Sequence, residues 1–176
     1  MAVLPIRTIP DPVLRQKAKR IRNINESIQK LIDDMIDTMR AAGGVGLAAN
    51  QVGAPVRLMI VDIPDEGPVA IINPKLTATE NEDAAEEGCL SVPGYRGELK
   101  RYLKATIEGV DRYGKSVRYT AEGYFAQAFQ HETDHLNGVL YIDRIEDPSK
   151  LYRVQPGQEE AEAEELASAS AQAPPA

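Results

Sequence analysis

The sequence predicts an α+β domain: mixed, mostly antiparallel strands packed around a central helix bearing an HExxH motif. Three observations predict it. Strand-like runs lie before and after the last helical stretch, with no βαβ alternation. Apolar residues recur at helical spacing over residues 25–42. The only two histidines, His131 and His135, sit four apart in QHETDHLNG (130–138), with Glu132 beside the first.

The elements follow in chain order. Asp11-Pro12 reads as a helix cap, followed by a short helix over Val13 to Lys19. Ile28, Leu31, Ile32, Met35, Ile36 and Met39 form the apolar stripe of an amphipathic helix from Asn25 to Ala42. Gly43-Gly44 ends it. Val56 to Ile63 and Val69 to Asn73 read as strands, broken by PDEGP. Lys104 to Asp111 and Lys115 to Thr120 read as a hairpin around Arg112-Tyr113-Gly114. Thr120 is placed to cap a helix over Ala121 to Leu136, closed by Asn137-Gly138. Val139 to Ile142 reads as a short strand.

Composition sets the bounds. The chain has 176 residues, enough for one domain with a core of its own. No apolar run is long enough to span a bilayer. Residues 1–14 show no targeting pattern. Cys89 is the single cysteine, which excludes an internal disulfide and suggests a reducing, cytoplasmic compartment. The net charge is -7, of which the five glutamates of residues 155–176 carry -5, so -7 minus -5 leaves -2. That near balance argues against non-specific DNA or RNA binding. Residues 1–154 are expected to form the catalytic domain. Residues 155–176 are rich in Ala, Glu and Pro, too poor in large apolar groups to offset ordering entropy, and expected to be disordered or partly helical.

On a helical wheel, Tyr124, Phe125, Ala128, Phe129 and Leu136 form one stripe, and His131, Glu132 and His135 fall inside it. Gln127, Gln130, Thr133, Asp134 and Asn137 fall on the other side, which is expected to be the polar face. Ionisable groups on the buried face need partners. A divalent metal provides one for all three, since i, i+4 spacing aims both imidazoles at one point. HExxH is the helix signature of metal-dependent hydrolysis, with two histidines as ligands and the glutamate as proton acceptor from water. A catalytic site needs a third protein ligand. No third histidine exists, so the candidates are a glutamate or Cys89. Glu146 is only eleven residues past His135, close to the helix end. Cys89 sits in AAEEGCLSVPGYRG, an irregular segment.

Three motifs, in order, make the chain resemble the peptide deformylases. GVGLAANQ (44–51) is similar to that family's glycine-rich motif. EGCLS (87–91) is identical to its second motif, and QHETDHLNG matches its third at each fixed position. The resemblance covers about residues 3 to 150. It implies an enzyme that removes the formyl group from N-formylmethionyl nascent peptides and releases formate. It implies Cys89, His131 and His135 as metal ligands and Glu132 as general base and acid. It further implies that the amide of Gln51 and the backbone N–H of Leu90 stabilise the oxyanion. The same resemblance implies that Val45, Gly46 and Gly88 pair with the peptide backbone and that Arg96 lies near it. Family positions of the methionine pocket fall near Tyr124, Gln127 and Ala128, with Gln127 a polar exception. The resemblance implies Fe2+ in the cell; a thiolate and two imidazoles also suit Zn2+, Ni2+ or Co2+. A monomer with transient ribosome contact and no membrane is expected. Two rival readings are a zinc peptidase with a glutamate ligand and a non-catalytic, metal-containing peptide-binding domain.

Overall fold

The computed structural model describes residues 2–155; the expectation for the acidic tail concerns residues outside that range. The described residues form two α-helices and six strands, besides short 3-10 turns: α1 (Glu26–Ala41), β1 (Gly46–Ala48), β2 (Leu58–Ile63), β3 (Gly67–Cys89), β4 (Val92–Val110), β5 (Ser116–Glu122), α2 (Gly123–Leu136) and β6 (Leu151–Arg153). One antiparallel sheet runs in the order β1-β2-β3-β4-β5, with β6 added to β4. The α+β expectation holds.

The apolar run of β2 shows how the layers form. Successive side chains of a strand face opposite ways. Leu58 and Ile60 pack with Ile32, Met35 and Met39 of α1. Met59 and Val61 pack with Ala126, Phe129 and Leu136 of α2. The two helices therefore cover opposite faces of β2, and the strand has no polar side. A third cluster, with Leu14, Val92, Leu99, Leu140 and Tyr141, closes the end of the domain near the turn between β3 and β4.

Several local expectations are corrected. The short helix is only a 3-10 turn, Pro12–Arg15, capped by Asp11; the chain then runs extended, with Ala18 N–H bonded to the Leu136 carbonyl. Thr120 is not a cap. It belongs to β5 and meets Thr106 across the ladder, hydroxyl to hydroxyl at 2.8 Å, so α2 starts at Gly123. Val139 to Ile142 is not a strand; Tyr141–Arg144 is a 3-10 turn that buries Leu140 and Tyr141 against the third cluster. β1, β6 and most of the β3–β4 ribbon had no signal. The outer half of β3, TATENEDAAEE, is mostly exposed, so it lacks the apolar alternation that marks a half-buried strand.

The helix-wheel division of α2 also fails. Gln130, Thr133 and Asp134 are buried along with Glu132 and His135. The helix is enclosed nearly all round, and Gln130 and Thr133 find their partners inside. Gln130 accepts from the Tyr102 N–H and donates to the Tyr102 carbonyl, both at 2.9 Å. Thr133 donates to the Phe129 carbonyl.

Candidate metal centre and active site

β3 and β4 meet in a tight turn at Leu90 and Ser91, where Cys89 registers with Val92. That turn sets the Cys89 sulfur against α2. Sγ lies 3.3 Å from His135 Nε2, and His135 Nε2 lies 3.2 Å from His131 Nε2. The three atoms fall within 4.8 Å of one another. Tetrahedral zinc with ordinary bond lengths sets its ligand nitrogens about 3.3 Å apart and nitrogen and sulfur about 3.6 Å apart. Two of the three pairs stand close to those spacings, and a sulfur with two ring nitrogens is a donor set that fits a divalent ion. Glu146 stands exposed beside Lys100, away from this cluster.

A buried charge chain stands behind His131. Its Nδ1 meets Glu87 Oε1 at 2.6 Å, which leaves Nε2 to face the cluster. Glu87 takes two hydrogen bonds from Arg101, at 2.6 and 2.9 Å. Arg101 Nη1 donates to Asp134 at 2.8 Å, and Arg144 holds both Asp134 oxygens. The Tyr141 ring stacks on His131 at 6.3 Å. Burial pushes Glu87 up, but the hydrogen bonds from Arg101 and His131 outweigh it and hold the carboxyl at about 2. Burial alone would lower His131; the Cys89 sulfur and Glu87 raise it. His135 is driven down by burial and by His131 beside it, which favours the neutral ring that a ligand requires.

Glu132 is 4% exposed, and burial pushes its carboxyl up to about 7. Its Oε2 is buried with no hydrogen-bond partner among the described residues. Gly46 of β1 lies directly against it: a Cβ there would come 2.7 Å from Glu132 Oε1. Gln51 follows β1 in a 3-10 turn and is buried. Its Oε1 accepts the Ala48 N–H at 3.0 Å, which turns its amide nitrogen to Ser91 Oγ at 3.2 Å and towards Cys89 Sγ at 3.8 Å.

These groups line one cavity of about 560 Å³. Every site residue expected from sequence lines it except His135, which lies one turn deeper and is buried. Gly46 opens β1, the terminal strand of the sheet, and Val45 just before it accepts from the Asp62 N–H. Gly88 faces Arg96: a Cβ at Gly88 would lie 3.2 Å from its Nη1. Arg96 is buried rather than solvated. Leu90 is 37% exposed at the turn. Tyr124, Gln127 and Ala128 form part of the same wall, and the Gln127 amide nitrogen is held by the Glu86 carbonyl at 2.8 Å. Sequence reasoning missed Arg101, the stacking of Tyr141 and the role of Glu87. Glu87 and Asp134 sit inside the two motifs; Arg101 carries no local signal at all.

The family model for polypeptide deformylase matches residues 3–151. The chain belongs to that family. A peptide deformylase of Halothermothrix orenii is 53% identical over 146 residues, 82% of this chain and 95% of the relative. One from Dehalococcoides mccartyi is 48% identical over 160 residues, 90% and 96% of the two chains. Among solved structures, the deformylase of Legionella pneumophila matches with a TM-score of 0.79 at 38% identity, covering 98% of this chain and all of that one. A Met-Ala-Ser-bound deformylase from Acinetobacter baumannii matches with a TM-score of 0.77 at 32% identity, covering 82% and 99%. Peptide deformylases are metal-dependent hydrolases that remove the formyl group from nascent polypeptides, and that is this chain's activity. No helix among the described residues is long and apolar enough to cross a membrane.

Proposed function

We propose that Cys89, His131 and His135 hold the catalytic metal, that Glu132 moves the protons, and that Gln51 and Leu90 stabilise the oxyanion. The observation that carries this reading is Glu132 Oε2, a buried acceptor without a protein partner beside the three converging ligand atoms. A bound divalent ion would supply Lewis acidity, polarising the formyl carbonyl and making water more acidic.

The chain's own residues do the rest. Glu132 takes a proton from the attacking water as its oxygen bonds to the formyl carbon. Negative charge builds on the formyl oxygen, within reach of the Gln51 amide and the Leu90 N–H; each such donor is worth about 3 kcal/mol in the transition state. Glu132 then gives its proton to the leaving nitrogen as the C–N bond breaks, releasing formate and a free amino terminus. A carboxyl pushed up to about 7 suits both the acceptor and the donor role near neutral pH. The free edge of β1 at Val45 and Gly46 offers backbone pairing to an extended peptide, with Gly88 and Arg96 on the facing wall. The methionine side chain goes against Tyr124 and Ala128. Gln127 is compatible with that pocket because its amide nitrogen is held on the Glu86 carbonyl.

For the ion in the cell we propose Fe2+, with Zn2+, Ni2+ or Co2+ able to replace it; a thiolate on iron would be prone to oxidation. We further propose a monomeric, cytoplasmic enzyme with transient ribosome contact, residues 1–154 as the catalytic domain, and residues 155–176 as a tail dispensable for chemistry. The deciding experiment measures formate release from formyl-Met-Ala-Ser by anaerobically purified protein and by Glu132→Gln. The variant should keep its metal and lose at least about 100-fold in kcat. Near-normal turnover by it would remove Glu132 from the proton path.

A further inference from the structure

The chain just after the first 3-10 turn reads QKAKRIRN, and Lys17, Lys19, Arg20 and Arg22 are all exposed while Ala18 and Ile21 are buried between them. No acidic residue occurs between Asp11 and Glu26. Arg15 is engaged by Asp143. The other four cations form no ion pair among the described residues.

The segment is held extended by its own backbone. Ala18 N–H donates to the Leu136 carbonyl, Lys19 N–H to the Pro55 carbonyl, and Arg57 N–H to the Lys19 carbonyl, each at 2.8 Å. The Asn73 side chain grips Ile21 on both sides, accepting its N–H and donating to its carbonyl at 2.9 Å each. The Arg57 guanidinium lies alongside, on the Leu136 carbonyl and Asn137. A net charge of -7 thus hides a fixed strip of four free cations. Cations on a pinned backbone lose less entropy on binding than cations on a loose tail.

We propose that Lys17, Lys19, Arg20 and Arg22 form a docking strip for the phosphate backbone of RNA. The strip itself is independent of the deformylase reading; only the choice of RNA among polyanions rests on it, because nascent chains emerge at an RNA-rich particle. Anionic lipid suits the strip less well, since Ala18 and Ile21 face the core and leave nothing apolar to insert. The position also fits. The strip abuts the C-terminal end of α2 at Leu136, whereas the cavity is lined by residues of that helix from Tyr124 to Glu132, and none of the four cations lines it.

The test is fluorescence anisotropy of a labelled RNA duplex over a range of low to moderate salt. Four neutralised phosphates give a slope of about -3 to -4 for log K against log salt. Each single change to Ala in the strip should reduce that slope by about one. The variant Lys17→Glu/Lys19→Glu/Arg20→Glu/Arg22→Glu should lose RNA binding and keep wild-type Tm and kcat/KM on formyl-Met-Ala-Ser, since none of the four lines the cavity. Should it fail to fold, the single Ala variants carry the test. The proposal is overturned by no wild-type binding at the lowest salt, by Ala variants that leave the slope unchanged, or by tighter binding to phosphatidylglycerol vesicles than to RNA. Failure of peptide turnover with the RNA slope intact would strike the deformylase assignments and leave the strip standing.

Discussion

Gly46→Ala is a small change with a calculable target. The added Cβ would meet Glu132 at Oε1, Cγ and Cδ, at 2.7, 2.9 and 3.1 Å. Ordinary contact begins at 3.4 Å, so Oε1 must retreat by about 0.7 Å. Glu132 is 4% exposed, which leaves it little room to do so without leaving its working position. Displacements on the order of 1 Å at a reacting group cost about 100-fold. The expected result is a kcat lower by about 30- to 100-fold, with KM within about threefold and metal content unchanged. Formate release gives the kinetics, and metal analysis of the same preparation gives occupancy. A kcat close to wild type would refute the steric argument. A loss confined to KM would refute it differently, by showing that the methyl obstructs the peptide pairing at Gly46 without displacing Glu132.

Replacing Cys89, His131 or His135 by Ala should drop bound metal well below one per chain; full occupancy in Cys89→Ala would remove the thiolate from the ligand set. Arg101→Met would leave Glu87 and Asp134 buried without their shared cation, with an expected cost of about 3–5 kcal/mol and a matching fall in Tm; a Tm within a degree or two of wild type would mean the network carries little. Glu87 is held at about 2, below an unfolded glutamate at about 4.3, so its contribution is present above that unfolded value and fades as pH falls towards 2. Glu87→Gln should therefore flatten the acid limb of stability in the metal-free protein, and an unchanged limb on denaturant titration would contradict the assignment. Truncation after Val154 should leave kcat/KM on a formyl-Met tripeptide unchanged, because residues 155–176 are too poor in large apolar groups to offset ordering entropy and the described residues that line the cavity all fall between Arg40 and Glu132; a large drop would place the tail in the site's machinery.

Local pattern carried much of this protein. The helix of residues 25–42 was legible because its apolar residues follow one period and its ends carry Asn25 and a Gly-Gly stop. The placing of His131, Glu132 and His135 on one face of α2 was legible because helix geometry alone puts them there. What the sequence could not supply was anything set by a partner distant along the chain. The outer β3–β4 ribbon is made by backbone pairing between exposed polar strands, and hydrogen bonds of the main chain leave no mark on side-chain type. The burial of Gln130, Thr133 and Asp134 depends on which strands enclose α2, so a wheel drawn on the helix alone assigned them to water. Arg101 looks like any strand arginine until folding brings Glu87 and Asp134, 14 and 33 residues away, onto its guanidinium. The third ligand was of the same kind: motif resemblance singled out Cys89, but only the turn at Leu90 and Ser91 brings its sulfur within 3.3 Å of His135. Periodicity and spacing are properties of a stretch of chain. Convergence of charges and ligands is a property of packing, and it exists only once the strands have paired.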